Sequence, residues 1–409
     1  MKALLPALLI ILFLCLCPFA FCADVETILE MISEPDFYEP VILPDIEAAL
    51  DEAVFGSADD KASPLAAEEK APYDEETNSP VLHEKNPDKQ IIAYIEPEIF
   101  IPRDKAILKK YYTEYQSKFG QKWLSEVMKN AESYRPFIRR KLEEYSMPLC
   151  LEYLPCVESS FVTYAVSKSG AVGLWQFMEN SMSPYMKKSS WFDERLDPWI
   201  ATESALQKLK ENYSVLGSWE LALAAYNFGL GGVKKILKQN PGKDYWQLCE
   251  AGAFRTETKN YVPRFLVISD LVMNADFYGL DIIPYDETKE MQFEETIVQD
   301  AYDLAVLSEK SGIDSKVLKY LNPALKFSVT PPQTKYHLRY PKNESEAFLT
   351  ALAQTKPNAP KMYTVQKGDT LWGISRRFNV NLDELCRINN ISQNGILSIG
   401  TILKMPIYK

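Results

Sequence analysis

Glu158 closes an apolar run, Leu154-Pro155-Cys156-Val157-Glu158-Ser159-Ser160-Phe161. Burial disfavours the charged form of a carboxyl, so a glutamate in such surroundings keeps its proton closer to neutral pH. A protonated carboxyl can donate to a leaving oxygen, the first half of acid/base catalysis. Taken alone, the residue reads more readily as a cap for a neighbouring helix or as the partner of an arginine. Metal chemistry has few candidates. The only histidines are His83 and His337, and no CxxC occurs, so neither a zinc site nor another cofactor is expected. Of seven cysteines, Cys15, Cys17 and Cys22 lie in or beside an N-terminal apolar run. The others, Cys150, Cys156, Cys249 and Cys386, read as buried structural thiols. Cys150 and Cys156 stand on different faces of any helix, so a bridge between them needs a chain reversal.

The elements that must carry Glu158 are helical. From Asp104 to about Asp276 apolar residues recur at spacings of 3 to 4, as in Ile107, Leu108, Tyr111 and Tyr112, with Asp104 a candidate N-cap. Tyr134 to Leu142, Leu206 to Tyr213, Trp219 to Tyr226 and Tyr261 to Met273 repeat the pattern. The C-terminal part holds an internal repeat. Leu304, Leu307, Ser308, Ile313, Leu318, Leu321 and Asn322 recur about 67 residues later as Leu371, Ile374, Ser375, Val380, Leu385, Ile388 and Asn389. Leu338 and Pro341 correspond to Leu403 and Pro406. Each copy reads as strand, helix, helix, strand. The fold expected is mainly α, with small α+β modules of βααβ order.

A chain of 409 residues with 46% hydrophobic and 12% aromatic content can build several cores. Its net charge of -11 argues against nucleic acid as a partner, which needs a basic face. The acidity is local: Ala23 to Gln90 holds 19 acidic residues against 4 lysines, leaving about +3 from Ile91 onward. That segment reads as a solvated, poorly ordered spacer. Before it, Lys2 and the apolar run to Phe21 read as an export signal. Cleavage after Ala20-Phe21-Cys22, a retained anchor, and lipid attachment at Cys22 all fit. Phe21 departs from the small residue usual before a lipidated cysteine.

The order of motifs then narrows the function. Glu158 is followed by Ser167, Gly170-Ala171-Val172-Gly173-Leu174-Trp175-Gln176-Phe177-Met178, Asp193-Glu194-Arg195-Leu196-Asp197-Pro198, Ala224-Ala225-Tyr226-Asn227-Phe228-Gly229, and Glu257-Thr258 with Tyr261. From about Ile101 to Asp276 this series closely resembles the lytic transglycosylase domain, a relative of goose-type lysozyme. The modules that follow make it most similar to the membrane-bound murein transglycosylases of the D type. The resemblance implies cleavage of the MurNAc-GlcNAc β-1,4 bond of peptidoglycan, closing a 1,6-anhydro sugar, with Glu158 as single acid/base. Hydrolytic muramidase and silent wall-binding scaffold are the alternatives. It further implies substrate contacts at Ser167, Gln176, Met178, Tyr226, Asn227, Glu257 and Tyr261. Ser167 would bind an acetamido group or Glu158 itself. Gln176 would offer a donor and an acceptor, and Tyr226 would set its hydroxyl by the reacting sugar. Asn227 would fix the loop or the substrate, and Glu257 would stand behind the site and position the tyrosine. Gly170 and Gly173 would let backbone approach sugar. Trp175 and Met178 fit a cleft wall or the core equally. Glu179 and Ser181 depart from the Pro and Thr common in the family.

Met362 to Ser375, with Asn389, Gly400 and Pro406, strongly resembles a LysM module. That implies a glycan groove walled by Gly368, Asp369, Thr370 and Leu371 on one side and Asn394, Gly395, Ile396 and Leu397 on the other. The upstream copy resembles a degenerate LysM, with Tyr302 and Asp303 in place of Asp369 and Thr370. Its fold is expected to survive and its glycan binding to be lost. The expected organisation is a signal over 1–22, a spacer over 23–90, a catalytic domain over 91–280, the degenerate module over 290–345, a linker over 346–360 and LysM over 361–408. The expected protein is an exported monomer of the periplasm or cell envelope. Its partner is the peptidoglycan strand, and any membrane contact runs through the N-terminal anchor.

Overall fold

The computed structural model describes residues 41–42, 73–74, 79–80, 93–358, 361–395 and 397–406. The signal-like run and most of the acidic spacer lie outside them. Within that spacer, Val41–Ile42 (β1), Tyr73–Asp74 (β2) and Ser79–Pro80 (β3) are two-residue strands. β2 and β3 pair antiparallel, and β1 lies parallel to Ala165–Val166 (β4). A spacer read as structureless thus pairs where a free strand edge offers backbone partners. Among the described residues no helix is long and apolar enough to cross a membrane.

The helical domain is built around one buried helix. In chain order its helices are Ala106–Gln116 (α1), Lys118–Ala131 (α2), Arg135–Tyr145 (α3), Leu154–Ser159 (α4), Pro198–Leu216 (α5), Trp219–Phe228 (α6), Leu230–Gln239 (α7), Tyr245–Glu250 (α8), Thr256–Met273 (α9) and Ala275–Tyr278 (α10). α1 begins after Lys105, whose side chain makes no capping bond, so Asp104 is not the cap its position suggested. α9 is buried on nearly every face, from Thr258 and Tyr261 through Val272, as a helix threading a core must be. Pro263 within it cannot donate to the carbonyl of Lys259. The Tyr245 hydroxyl donates to that oxygen instead, at 3.1 Å.

Asp270, near the end of α9, binds the termini of the domain together. It accepts hydrogen bonds from the hydroxyls of Tyr94, Tyr112 and Tyr278 and lies 3.6 Å from the guanidinium of Arg103. Both charged side chains are fully buried. Cys150, Cys156, Cys249 and Cys386 are free and buried, as structural thiols should be.

The repeat is real. Phe293–Val298 (β5) pairs antiparallel with Tyr336–Pro341 (β6), enclosing Leu304–Ser311 (α11) and Ser315–Leu321 (α12). Lys361–Thr364 (β7) pairs with Ile402–Met405 (β8) around Leu371–Arg377 (α14) and Leu382–Asn389 (α15). The matching asparagines do the same work. Asn322 exchanges two hydrogen bonds with the backbone of Arg339, and Asn389 exchanges two with Lys404. Asp303 and Thr370 each cap the following helix. The upstream copy departs from βααβ order by a third helix, Ser345–Gln354 (α13), whose Phe348 and Ala351 fill its core. The expected linker over 346–360 therefore shrinks to its last few residues.

The two modules meet the rest of the chain differently. The upstream copy packs on the helical domain: Arg339 pairs with Asp197, the cap of α5, and Trp199 meets Phe293 edge-on at 5.0 Å. The last module touches its neighbours through polar contacts, Ser190 to Glu384 at 2.9 Å and Arg387 to the carbonyl of Pro332 at 3.1 Å.

Asp270→Asn keeps the side-chain shape but leaves Arg103 without its buried carboxylate. The free energy of unfolding should fall by about 3 kcal/mol, read by urea denaturation. A loss under about 1 kcal/mol would mean that Glu96, 3.2 Å from Arg103, suffices.

Candidate active site

Glu158 sits in the last turn of α4, a helix of six residues that ends as Ser160 adopts φ 52°. The turn aims its carboxyl across to α9, where the Tyr261 hydroxyl donates to Oε1. The side chain is half-buried and opens only to a cleft of about 640 Å³. Burial pushes its carboxyl up from 4.5 to about 7, against the lowering effects of the Tyr261 hydrogen bond and the positive charges of Lys208 and Arg264; Glu257 adds to the rise. Such a group is protonated half the time near neutrality, as a proton donor must be.

The loop after β4 forms the opposite wall, and its glycines are needed for different reasons. Gly170 has φ 84°, with its amide donating to the carbonyl of Ser167 and its own carbonyl accepting from Arg195, so the glycine is there for the turn. At Gly173 an added Cβ would meet the carbonyl oxygen of Arg195 at 1.8 Å. Its role is close packing on the Glu194–Leu196 turn, not approach to sugar. Trp175 is fully buried and donates its indole N–H to Thr202, so it belongs to the core; Met178 stands exposed on the cleft wall. Gln176, itself at φ 47°, donates its amide to the carbonyls of Ala165 and Gly173 at 3.2 and 2.8 Å. Its two protons are occupied, and its carbonyl oxygen is left for a ligand. Ser167 lines the cleft, and its hydroxyl oxygen accepts from the amide of Ala171 at 3.0 Å, which leaves the hydroxyl proton to be donated.

Two expected roles change, and that of Asn227 narrows to one of its alternatives. Tyr226 donates to the backbone oxygen of Trp175 at 2.9 Å, locking α6 to the loop, while its ring faces the cleft. Asn227 donates to Glu257 and accepts from Thr258, so it fixes the loop against α9. Glu257 holds Asn227 and lies on the exposed cleft wall, not behind the site positioning a tyrosine. The tyrosine next to the carboxyl, Tyr261, is held by α9 itself. Sequence reasoning passed over Lys208 and Arg264, which also line the cleft. Lys208 follows buried Ser204 and Ala205 at helical spacing, and a lysine on that face was a readable signal.

In the last module the named residues serve the fold more than a groove. Asp369 accepts from Tyr363, the amide of Gln366 and Arg377, which hold its carboxyl below the usual range. Leu371 is core, and Leu397 packs against that core. Gly368, Thr370 and Asn394 are exposed, Gly395 donates to Ser392, and Ile396 lies outside the described residues.

A family model described as the transglycosylase SLT domain matches residues 135–249, a LysM domain matches 363–406, and the LysM-like domain of lytic transglycosylase MltD matches 292–357. The last match runs through α13, in accord with its packing. Membrane-bound lytic murein transglycosylase D of Escherichia coli (strain K12) is 29% identical over 326 residues, covering 75% of this chain and 70% of that protein. A putative tributyltin chloride resistance protein of Alteromonas sp. (strain M-1) is 33% identical over 116 residues, 28% of this chain and 56% of its own. A solved inactive mutant of lytic transglycosylase Slt from Pseudomonas aeruginosa is 21% identical over 45% of this chain and 30% of that one; its TM-score of 0.33 is too low to bear on the fold.

The raised carboxyl has a cost to stability with a definite pH window. Below pH 4.5, the ordinary value, Glu158 is protonated folded or unfolded and contributes nothing. Between 4.5 and about 7 the unfolded chain releases a proton that the folded one keeps, so wild-type stability declines through that window and stays lower above it. Glu158→Gln never ionises. It should match wild type at pH 4 and exceed it by about 1–2 kcal/mol at pH 8, after allowing for solvent in the cleft, as read by chemical denaturation at both pH values.

Proposed function

From the premise that this chain is homologous to the lytic murein transglycosylases and carries their SLT domain, we propose that it cleaves the MurNAc-GlcNAc β-1,4 bond with Glu158 as acid and then base. The observation that carries the reading is a cleft carboxyl held near pH 7 by burial, with a tyrosine hydroxyl on one oxygen. Protonated Glu158 gives its proton to the leaving glycosidic oxygen as the substrate's own N-acetyl oxygen attacks the anomeric carbon. The resulting carboxylate takes the proton of the C6 hydroxyl, which displaces the N-acetyl oxygen and closes the 1,6-anhydro ring. No water is consumed. An internal hydroxyl needs no association entropy, and effective molarities for such attack reach roughly 10⁵ M or more.

The Ser167 hydroxyl and the Gln176 carbonyl oxygen are assigned to the N-acetyl and hydroxyl groups of the sugars, with Met178 on the cleft wall. Tyr226, Asn227, Glu257 and Tyr261 are assigned the geometry of the site. One feature favours the hydrolytic alternative: Glu257 is a second carboxylate on the same cleft, and a glycosidase could use it to activate water. Its bonding to Asn227 and Arg255 supports a structural role. The N-terminal run is assigned to export, which puts the enzyme in the envelope, and the last module is assigned to the glycan strand through its exposed Gly368, Thr370 and Asn394.

Digestion of sacculi in ¹⁸O-water should yield muropeptides ending in unlabelled 1,6-anhydro sugars. Labelled reducing ends as the main product would mean a hydrolase. Glu158→Gln should bind murein and lose about 10²–10⁴-fold or more in turnover; a variant keeping a tenth of wild-type turnover would remove Glu158 from the mechanism. Truncation after Lys356 should leave cleavage of short soluble glycans intact and weaken co-sedimentation with sacculi, since a tethered module raises local substrate concentration. Equal sedimentation of both proteins would count against a binding role for the last module.

A further inference from the structure

Lys208 is a charged side chain that the reaction above does not use. It projects from the middle of α5, half-buried, onto the floor of the Glu158 cleft. Its ammonium lies 5.2 Å from the ring centre of Phe177 and 5.0 Å from that of Tyr226. Rings attract a cation through their electron-rich faces and so keep it charged without neutralising it. Among the described residues no carboxylate stands within ion-pairing distance of it and no hydrogen bond to it is formed. The arginines on the cleft differ, and Lys168, the other lysine lining it, is exposed to solvent. Arg264 donates to the Tyr115 hydroxyl at 3.0 Å, and Arg255 lies 3.6 Å from Glu257.

Burial pulls the Lys208 ammonium below its ordinary range, and the one charge that opposes this is Glu158. The groups facing Glu158 are Tyr261, Arg264 and Glu257 from α9, Tyr226 from α6 and Lys208 from α5. An amine that is half-desolvated, ring-mounted and unpaired answers to a charge that comes and goes. The only group in reach whose charge changes during the reaction is Glu158.

We propose that Lys208 is a positioning residue for proton transfer, whose fixed positive charge stabilises the carboxylate that Glu158 becomes as its proton leaves. Lys208 itself neither gains nor loses a proton. The O–H bond of Glu158 breaks, its proton goes to the glycosidic oxygen, and the electron pair stays on a carboxylate facing an ammonium that is already in place. Such preorganised charge acts where charge develops, in a site with little water. The inference rests on Glu158 being the proton donor. It does not depend on whether the C6 hydroxyl or water completes the reaction.

The test uses the full-length chain and soluble, uncrosslinked glycan strands, with kcat and KM measured from pH 4 to 9. Lys208→Met keeps length and packing and removes the charge. At low pH kcat should fall by about 10–10²-fold, with KM within about twofold. The alkaline limb, where Glu158 loses its proton, should move up by about one pH unit, because a carboxylate without its cation forms less readily. Slower turnover that persists to higher pH is a combination that loss of folding does not produce. Lys208→Arg should return the limb to its wild-type position. Lys208→Gln serves as the neutral variant if the Met protein is unstable. An unmoved limb in the neutral variants overturns the proposal. So does a large rise in KM with kcat unchanged, which would make Lys208 a ligand for a substrate carboxylate. Products carrying ¹⁸O would overturn the transglycosylase reading and leave this one standing.

Discussion

For the proposed reaction a carboxyl must be kept out of water and still be able to ionise, and much of the helical domain bears on that requirement. Burial alone would hold Glu158 protonated and useless as a base. Solvent alone would leave it ionised and useless as an acid. The compromise, near pH 7, is set by opposed effects of known origin: the surrounding protein raises it, and Tyr261, Lys208 and Arg264 lower it. Each of these must stay within a few ångströms of one short helical turn. α9 supplies two of them and is itself buried on nearly every face, so neither can drift without disturbing the core. The Tyr245 hydroxyl at Lys259 repairs the one backbone break that Pro263 introduces upstream of Arg264.

Much of this was legible from the chain. Helical period located the long helices, and the offset repeat located both small modules, down to the asparagine that ties the second helix to the last strand. Glu158 was readable through the ordered series of motifs that follows it; alone, an acid at the end of an apolar run reads as a cap or an ion-pair partner. What escaped was long-range partnership. Glu257 and Tyr261 are one helical turn apart, and nothing local says which of them faces Glu158 and which faces Asn227. The amide protons of Gln176 are occupied by carbonyls three and eleven residues away, a consequence of the left-handed turn at Gln176 itself. α13 was missed because its apolar positions answer to a core supplied by β6 and α11.

The two modules share a fold and have diverged in what surrounds it. In the upstream copy Ala301 is buried at the position where the last module exposes Gly368. A glycine at φ 89° leaves open space for backbone to meet a ligand, whereas a buried alanine closes the same corner against its own core. Beside it, Asp303 keeps the capping function of Thr370 while Tyr302 stands where Asp369 binds three partners. Helix starts survive substitution because several residue types can cap them. A loop held by one carboxylate does not.

Asp197 divides its two oxygens between duties. One accepts from the amides of Trp199 and Ile200 at the head of α5, and the other meets Arg339 of the upstream module. The upstream module is therefore fastened to the helical domain at a helix cap. Arg339 stands on β6 and Asp197 at the head of α5, so a displacement of that module is felt at the start of this helix. Lys208 lies eleven residues down the same helix, about 16 Å away. The helix that carries Lys208 is thus tied to the upstream module at its capped end, and not through a loop of the cleft.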